Sequence, residues 1–175
     1  MRCDCGGALE DTTVAELDFS NYAGTPSVLR NAPVMRCPQC GTMALYGEVI
    51  NKALSMLVRL VLKSPYKLAD THAKFLRKSM RMTQQQLADK LGVNRVTVAD
   101  WERGETPLSK EHDMMLRSVV AAHLIKGPRS PRLQYDLSQA LDHARTEAAP
   151  QQLPPFVINE ALRRLRTSDA PNSRH

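Results

Sequence analysis

Residues 83–104 read TQQQLADKLGVNRVTVADWERG. Thr83 can cap a helix, because a threonine hydroxyl accepts from a backbone N–H that has no partner within the helix; Leu87, Ala88 and Leu91 then fall on one face. Gly92 can turn the chain without a side-chain penalty. A second helix starts at once, with Asn94 as a suitable N-cap, Val98 and Trp101 on one face, and Gly104 where a helix commonly stops. Two short helices joined by a glycine turn make a helix-turn-helix. A generic helical hairpin with a solvated outer face is the bland alternative, and it is disfavoured because cap, turn and stop agree.

The outward face of the second helix carries the chemistry. At about 100° per residue, with the buried face centred between Val98 and Trp101, the opposite face holds Val96, Ala99, Asp100 and Arg103, with Arg95 in the first turn. Such a face suits the DNA major groove: arginine can bond guanine in bidentate fashion, valine can touch a thymine methyl, and aspartate can accept from the cytosine amino group. Asn94 and Thr97, in the same first turn, complete the candidate DNA-contacting set on this helix.

The cysteines are the second signal. They occur only as Cys3, Cys5, Cys37 and Cys40, two tight pairs far apart in sequence. In Cys37-Pro38-Gln39-Cys40-Gly41 the backbone can fold back so that both thiolates point at one ion; Cys3-Asp4-Cys5-Gly6-Gly7 is tighter, and its glycines offset the strain. Four thiolates suit one tetrahedral structural Zn2+ per chain, with no open position for catalysis. Disulfides are disfavoured because no apolar signal segment follows the first residues, which leads us to expect a reducing cytoplasm. A thioredoxin-type redox pair would need a βαβ context that the sequence lacks. The histidines, His72, His112, His123, His143 and His175, show no ligand spacing with the cysteines and read as surface or helix residues.

Charge separates the two signals. Residues 1–64 hold six Lys/Arg against six Asp/Glu, whereas residues 65–126 hold eleven against seven, within a chain of formal net charge +6. Lys74, Arg77, Lys78, Arg81, Lys90 and Arg95 are opposed locally only by Asp89, a basic surface that would release counterions from DNA phosphates. The first twenty residues are acidic: Asp4, Glu10, Asp11, Glu16 and Asp18 against Arg2. The longest apolar stretch, residues 53–62, is interrupted by Ser55 and Arg59 and falls short of the ~20 residues a membrane span needs, so no membrane partner is expected.

These parts set an expected organisation. Residues 12–19 and 27–35 read as two strands of a hairpin that brings Cys37 back to Cys3 and Cys5, a small β zinc-binding domain over 1–47 with too little core to fold alone. Residues 48–64 read as a linker helix, with Ile50, Leu54, Leu57, Val58, Val61 and Leu62 as an apolar stripe that either packs on the hairpin, the favoured reading, or forms a partner surface. The helix-turn-helix domain spans 65–126 and closes with a Met-rich helix. Residues 127–175 read as a partly disordered helical extension, with helices near 133–146 and 157–166 around a Pro-rich break at 149–155. The fold class is therefore mainly α with a small β N-terminal domain.

The segment FLRKSMRMTQQQLADKLGVNRVTVADWERGETPLS resembles the lambda-repressor-like, XRE-type helix-turn-helix, a bundle of about five short helices, over residues 66–125. The resemblance implies a phosphate contact by Gln84 and a buried ion pair between Arg77 and Glu102. The order of a Cys-pair zinc finger, a helix and this domain is similar to the MqsA-type antitoxins, also described as YgiT-type zinc-finger proteins, over residues 1–125. Their first pair is commonly CxxC, whereas this chain has CxC. That likeness implies an antitoxin whose N-terminal domain neutralises a ribonuclease toxin, while a homodimer of the C-terminal domain binds a palindromic double-stranded operator and represses its own operon. A regulator without a toxin, with zinc structural or sensory, is the competing reading. No nucleophile with its base, phosphate loop or acid pair is visible, so no enzyme activity is expected.

Overall fold

A computed structural model describes residues 1–125 and 155–158. The expected helix at 133–146 lies outside the described residues. The small β region followed by helices matches the expected fold class.

The chain begins with an antiparallel pair. Strand β1 (Glu10–Asp18) runs beside β2 (Ser27–Arg36), with Glu10 opposite Arg36 and Asp18 opposite Val28. Between them the turn-rich segment forms one helical turn, α1 (Ser20–Ala23), closed by Gly24 in a left-handed conformation. β2 is the centre of the sheet. A short strand β3 (Met43–Leu45) pairs with its C-terminal end, and β4 (Phe156–Ile158) pairs in parallel with its start, Ile158 opposite Leu29. Residues 156–158 are therefore strand and not the start of the expected helix. The β-branched Val157 and Ile158 fit a pleated surface, and joining β2 buries Ile158 completely.

Five longer helices follow: α2 (Gly47–Lys63), α3 (Asp70–Ser79), α4 (Gln84–Leu91), α5 (Arg95–Arg103) and α6 (Lys110–Ile125). The stripe on α2 buries Val49, Ala53, Leu57, Val58, Val61 and Leu62, and the helix ends at Ser64, before Pro65. Leu29, Ala32 and Val34 of β2, Leu57 and Val61 of α2, Phe75 and Leu76 of α3, and Leu116 and Val120 of α6 belong to one continuous apolar cluster. The α2 stripe thus packs with the sheet, and the small core of the hairpin is extended by the helices. β2 shares its buried face with the helices and does not depend on the cysteine end alone.

Among the described residues, Arg117 is the largest fully buried side chain. Its guanidinium donates to Asp113 Oδ1 at 2.6 Å and to the carbonyls of Val61, Leu62, Ser64 and Tyr66, capping the end of α2 from α6. Asp113 is satisfied in turn by the Leu68 N–H at 2.8 Å.

Candidate nucleic-acid interface and metal centre

The helix-turn-helix is held by the residues its sequence singles out. Thr83 Oγ1 accepts from the Gln86 N–H at 3.1 Å while Gln86 Oε1 accepts from the Thr83 N–H at 2.9 Å, a reciprocal cap at the start of α4. Gly92 and Gly104 end α4 and α5 at φ 66° and 73°, values that a residue with a Cβ adopts only at a cost. Leu87, Ala88, Leu91, Val98 and Trp101 are buried. Asn94 occupies the N-cap position of α5 with extended backbone, but its side chain makes no cap hydrogen bond and stays exposed. Its amide is free for another partner.

An ion pair fixes α5 against α3. Arg77 donates from Nε and Nη2 to the two oxygens of Glu102 at 2.6 and 2.9 Å, and from Nη1 to the Met82 carbonyl at 2.7 Å. Gln84 Nε2 adds a bond to Glu102 Oε2 at 3.0 Å. Burial raises the Glu102 pKa, but the hydrogen bonds from Arg77 and Gln84 outweigh it and leave the carboxyl below its ordinary value. Arg77 therefore does not belong with the free basic residues among which its charge would place it. Lys74, Lys78, Arg81, Lys90 and Arg95 are exposed.

Several of the remaining candidates share one concavity. Gln84, Arg95, Val96, Ala99 and Arg103 line a single concavity with Lys74 on its rim. Val96 is 63% exposed, among the described residues the most exposed large apolar side chain after Met1. Thr97 and Asp100 are half-buried and Arg95 is exposed. Arg103 is not free: it donates to Asp100 Oδ1 at 2.5 Å and to both oxygens of Glu105 at 2.6 and 2.9 Å. Glu105, beyond the end of α5, escaped the sequence reading because a helical wheel stops where the helix does.

The cysteines meet at the other end of the sheet. Cys3 Sγ lies 3.5 Å from Cys40 Sγ and Cys5 Sγ 3.5 Å from Cys37 Sγ, each contact crossing from one pair to the other. All four sulfurs fall within 4.8 Å of one another. A tetrahedral thiolate site with metal–sulfur bonds of about 2.3 Å has sulfurs about 3.8 Å apart, so the donor set fits a metal ion. A disulfide requires about 2.05 Å and is absent here. Two backbone turns build the knuckles: the Gly6 N–H reaches Cys3 O at 2.8 Å, and the Gly41 N–H reaches Cys37 O at 2.9 Å. Gly7 is required for a different reason, since a Cβ there would stand 2.8 Å from Cys37 Sγ. Thr42, which no ligand spacing reveals, sits with Oγ1 3.2 Å from Cys40 Sγ, and its side-chain and backbone bonds bring the Cys40 thiol down to about 6. Cys5 is lowered by the Gly7 backbone but raised more by its three sulfur neighbours, to about 12. Bare thiols in this arrangement cannot all ionise; a cation among them removes the conflict.

Residues 74–112 match a helix-turn-helix family of XRE type. The match runs from α3 into α6 and covers the concavity and the Arg77–Glu102 pair. No curated protein and no solved structure matches the chain. Among the described residues, no helix is long and apolar enough to cross a membrane.

Proposed function

We propose that this protein is a sequence-specific, double-stranded DNA-binding regulator that reads its site with α5, and that Cys3, Cys5, Cys37 and Cys40 hold one structural Zn2+. The observation that carries the reading is Val96, 63% exposed beside the exposed Arg95 on a helix whose opposite face is buried. Val96 lines the same concavity as the cationic Lys74, Arg95 and Arg103, a combination that suits a thymine methyl beside a phosphate backbone. Lys74, lining the same concavity, would pair with a backbone phosphate. Gln84 can contact a phosphate from the start of α4, exchanging its bond to Glu102. Asn94, Thr97, Asp100 and Arg103 complete the contact set, and a dimer would place two copies of α5 on a palindrome.

Footprinting of the DNA upstream of the coding frame tests this. Arg95→Ala is expected to cost about 1–3 kcal/mol at the protected site and to relax preference at one base pair. Gln84→Ala is expected to weaken all sequences alike. Binding independent of salt, or no protected site, would remove the DNA reading.

A toxin-neutralising role is the second reading. It is supported by the acidic N-terminal residues Asp4, Glu10 and Asp11, whose charge contrasts with the basic helix-turn-helix and would attract a cationic ribonuclease. Co-expression with the neighbouring frame decides it: a frame that is harmless alone, or toxic in the presence of this protein, leaves a regulator without a toxin.

A further inference from the structure

A groove of about 590 Å³ opens on the side of the molecule formed by α1, the middle of α2 and the ends of α3 and α6. That volume lies within the ~300–1,000 Å³ typical of small-molecule sites. Its floor is apolar, with Val58, Phe75 and Met80 buried and Leu54 half-buried. Tyr22 forms a wall. Phe19 stacks on its ring at 5.3 Å and 16°, yet Tyr22 keeps 48% of its surface exposed.

The lip is cationic. Lys78 and Arg81 line it, no carboxylate does, and neither side chain makes a hydrogen bond or ion pair among the described residues. Solvated lysines and arginines are ordinary on a surface, but Arg81 is not ordinary in its backbone. It follows the end of α3 at φ 57°, whereas α1, α4 and α5 place Gly24, Gly92 and Gly104 in the same left-handed conformation. A side chain there carries a conformational penalty that glycine avoids, and strain of this kind collects at ligand sites.

We propose that the groove binds a planar aromatic carboxylate, with its ring against Tyr22 and the apolar floor and its carboxylate on Lys78 and Arg81. Flat stacking surface and unpaired cations on one lip select this class over a neutral or cationic ligand. The groove lies immediately before the capping turn at Thr83, so an occupant would touch the connection into α4. The binding itself does not rest on the DNA reading.

Isothermal titration of the full chain without DNA tests it, using 2-naphthoate and 2-naphthol as probes. Saturable 1:1 binding of 2-naphthoate is expected, with 2-naphthol at least about tenfold weaker because it lacks the charge-assisted bonds. Arg81→Gly is expected to weaken 2-naphthoate about tenfold while the melting temperature holds or rises, since glycine relieves the positive φ. Lys78→Gln, on an exposed helix position, is expected to weaken it similarly and settles the matter if Arg81→Gly melts lower. No saturable binding, equal binding of the two probes, or full affinity in both variants would overturn the proposal.

Discussion

Arg77 of α3 and Glu102 of α5 are joined by two hydrogen bonds of 2.6 and 2.9 Å, and their side chains are only 12% and 3% exposed. This pair ties the reading helix to the rest of the protein. Breaking such a pair leaves one buried charge uncompensated, at about 3–5 kcal/mol. Glu102→Ala is expected near the low end, because Arg77 keeps its bond to the Met82 carbonyl and some solvent. Urea unfolding of both single variants and of the double variant checks this. The double should be less destabilised than the sum, and single losses under about 1 kcal/mol would reduce the pair to a surface bridge.

Much of the helix-turn-helix was legible because its signals are local: Thr83, Gly92 and Gly104 each act on a neighbour in sequence. The hairpin was legible too, from β-branched residues flanking a turn, and the cysteine cluster followed from where the hairpin had to return. What was hidden depends on distant partners. Nothing near Ile158 tells that β2 has an open edge for it. Asp113 and Arg117 read as an ordinary i,i+4 pair on α6, and only the docking of α2 makes Arg117 a buried cap for four carbonyls. Arg77 separates two readings: charge counting assigns it to DNA, whereas the resemblance pairs it with Glu102, and the geometry agrees with the resemblance.

Arg117 should be among the least replaceable residues. Arg117→Met fills similar volume but leaves Asp113 and the carbonyls at the end of α2 with too few partners. A loss above about 3 kcal/mol is expected from the uncompensated charge alone. Arg117→Lys should recover little, since a single ammonium cannot replace a planar fork that reaches both Asp113 and the chain from Val61 to Tyr66. Chemical denaturation of the two variants measures both; near-native stability of Arg117→Lys would show that charge, not the fork, suffices.

Metal removal should act locally. One zinc per chain is expected by metal analysis, and Cys40→Ser should lose it, because three thiolates close the tetrahedron poorly. The buried Leu29, Ala32 and Val34 hold β2 on the helices independently of the sulfurs. Hydrogen exchange should therefore rise in residues 1–9 and 37–42 and stay low along α2 and in the middle of β2. Zinc retained in Cys40→Ser would refute the ligand set, and exchange spreading through α2 would refute the independence of the core.

His72 makes the fold acid-sensitive by a route separate from the metal. It is 3% exposed, its ring edge meets Phe156 at 5.4 Å, and Nδ1 accepts from the Ala69 N–H at 3.1 Å, which requires an unprotonated nitrogen there. Burial first, and the Arg117 charge second, depress its pKa from 6.5 to about 4, against the opposing pull of Asp70 and Asp113. Because the folded pKa is lowered, the unfolded chain takes up the proton first as pH falls. Stability from neutral His72 is thus complete above about pH 6.5 and is lost on the way down to about pH 4, by at most ~3 kcal/mol. His72→Gln removes this titration while leaving the cysteines untouched, so acid release of metal cancels in the comparison. The stability difference between native and variant protein should therefore shift by an amount of that order between pH 7.5 and 4.5, with the native chain losing more. Parallel pH profiles for the two proteins would show that His72 titrates in the folded state as it does in the unfolded one.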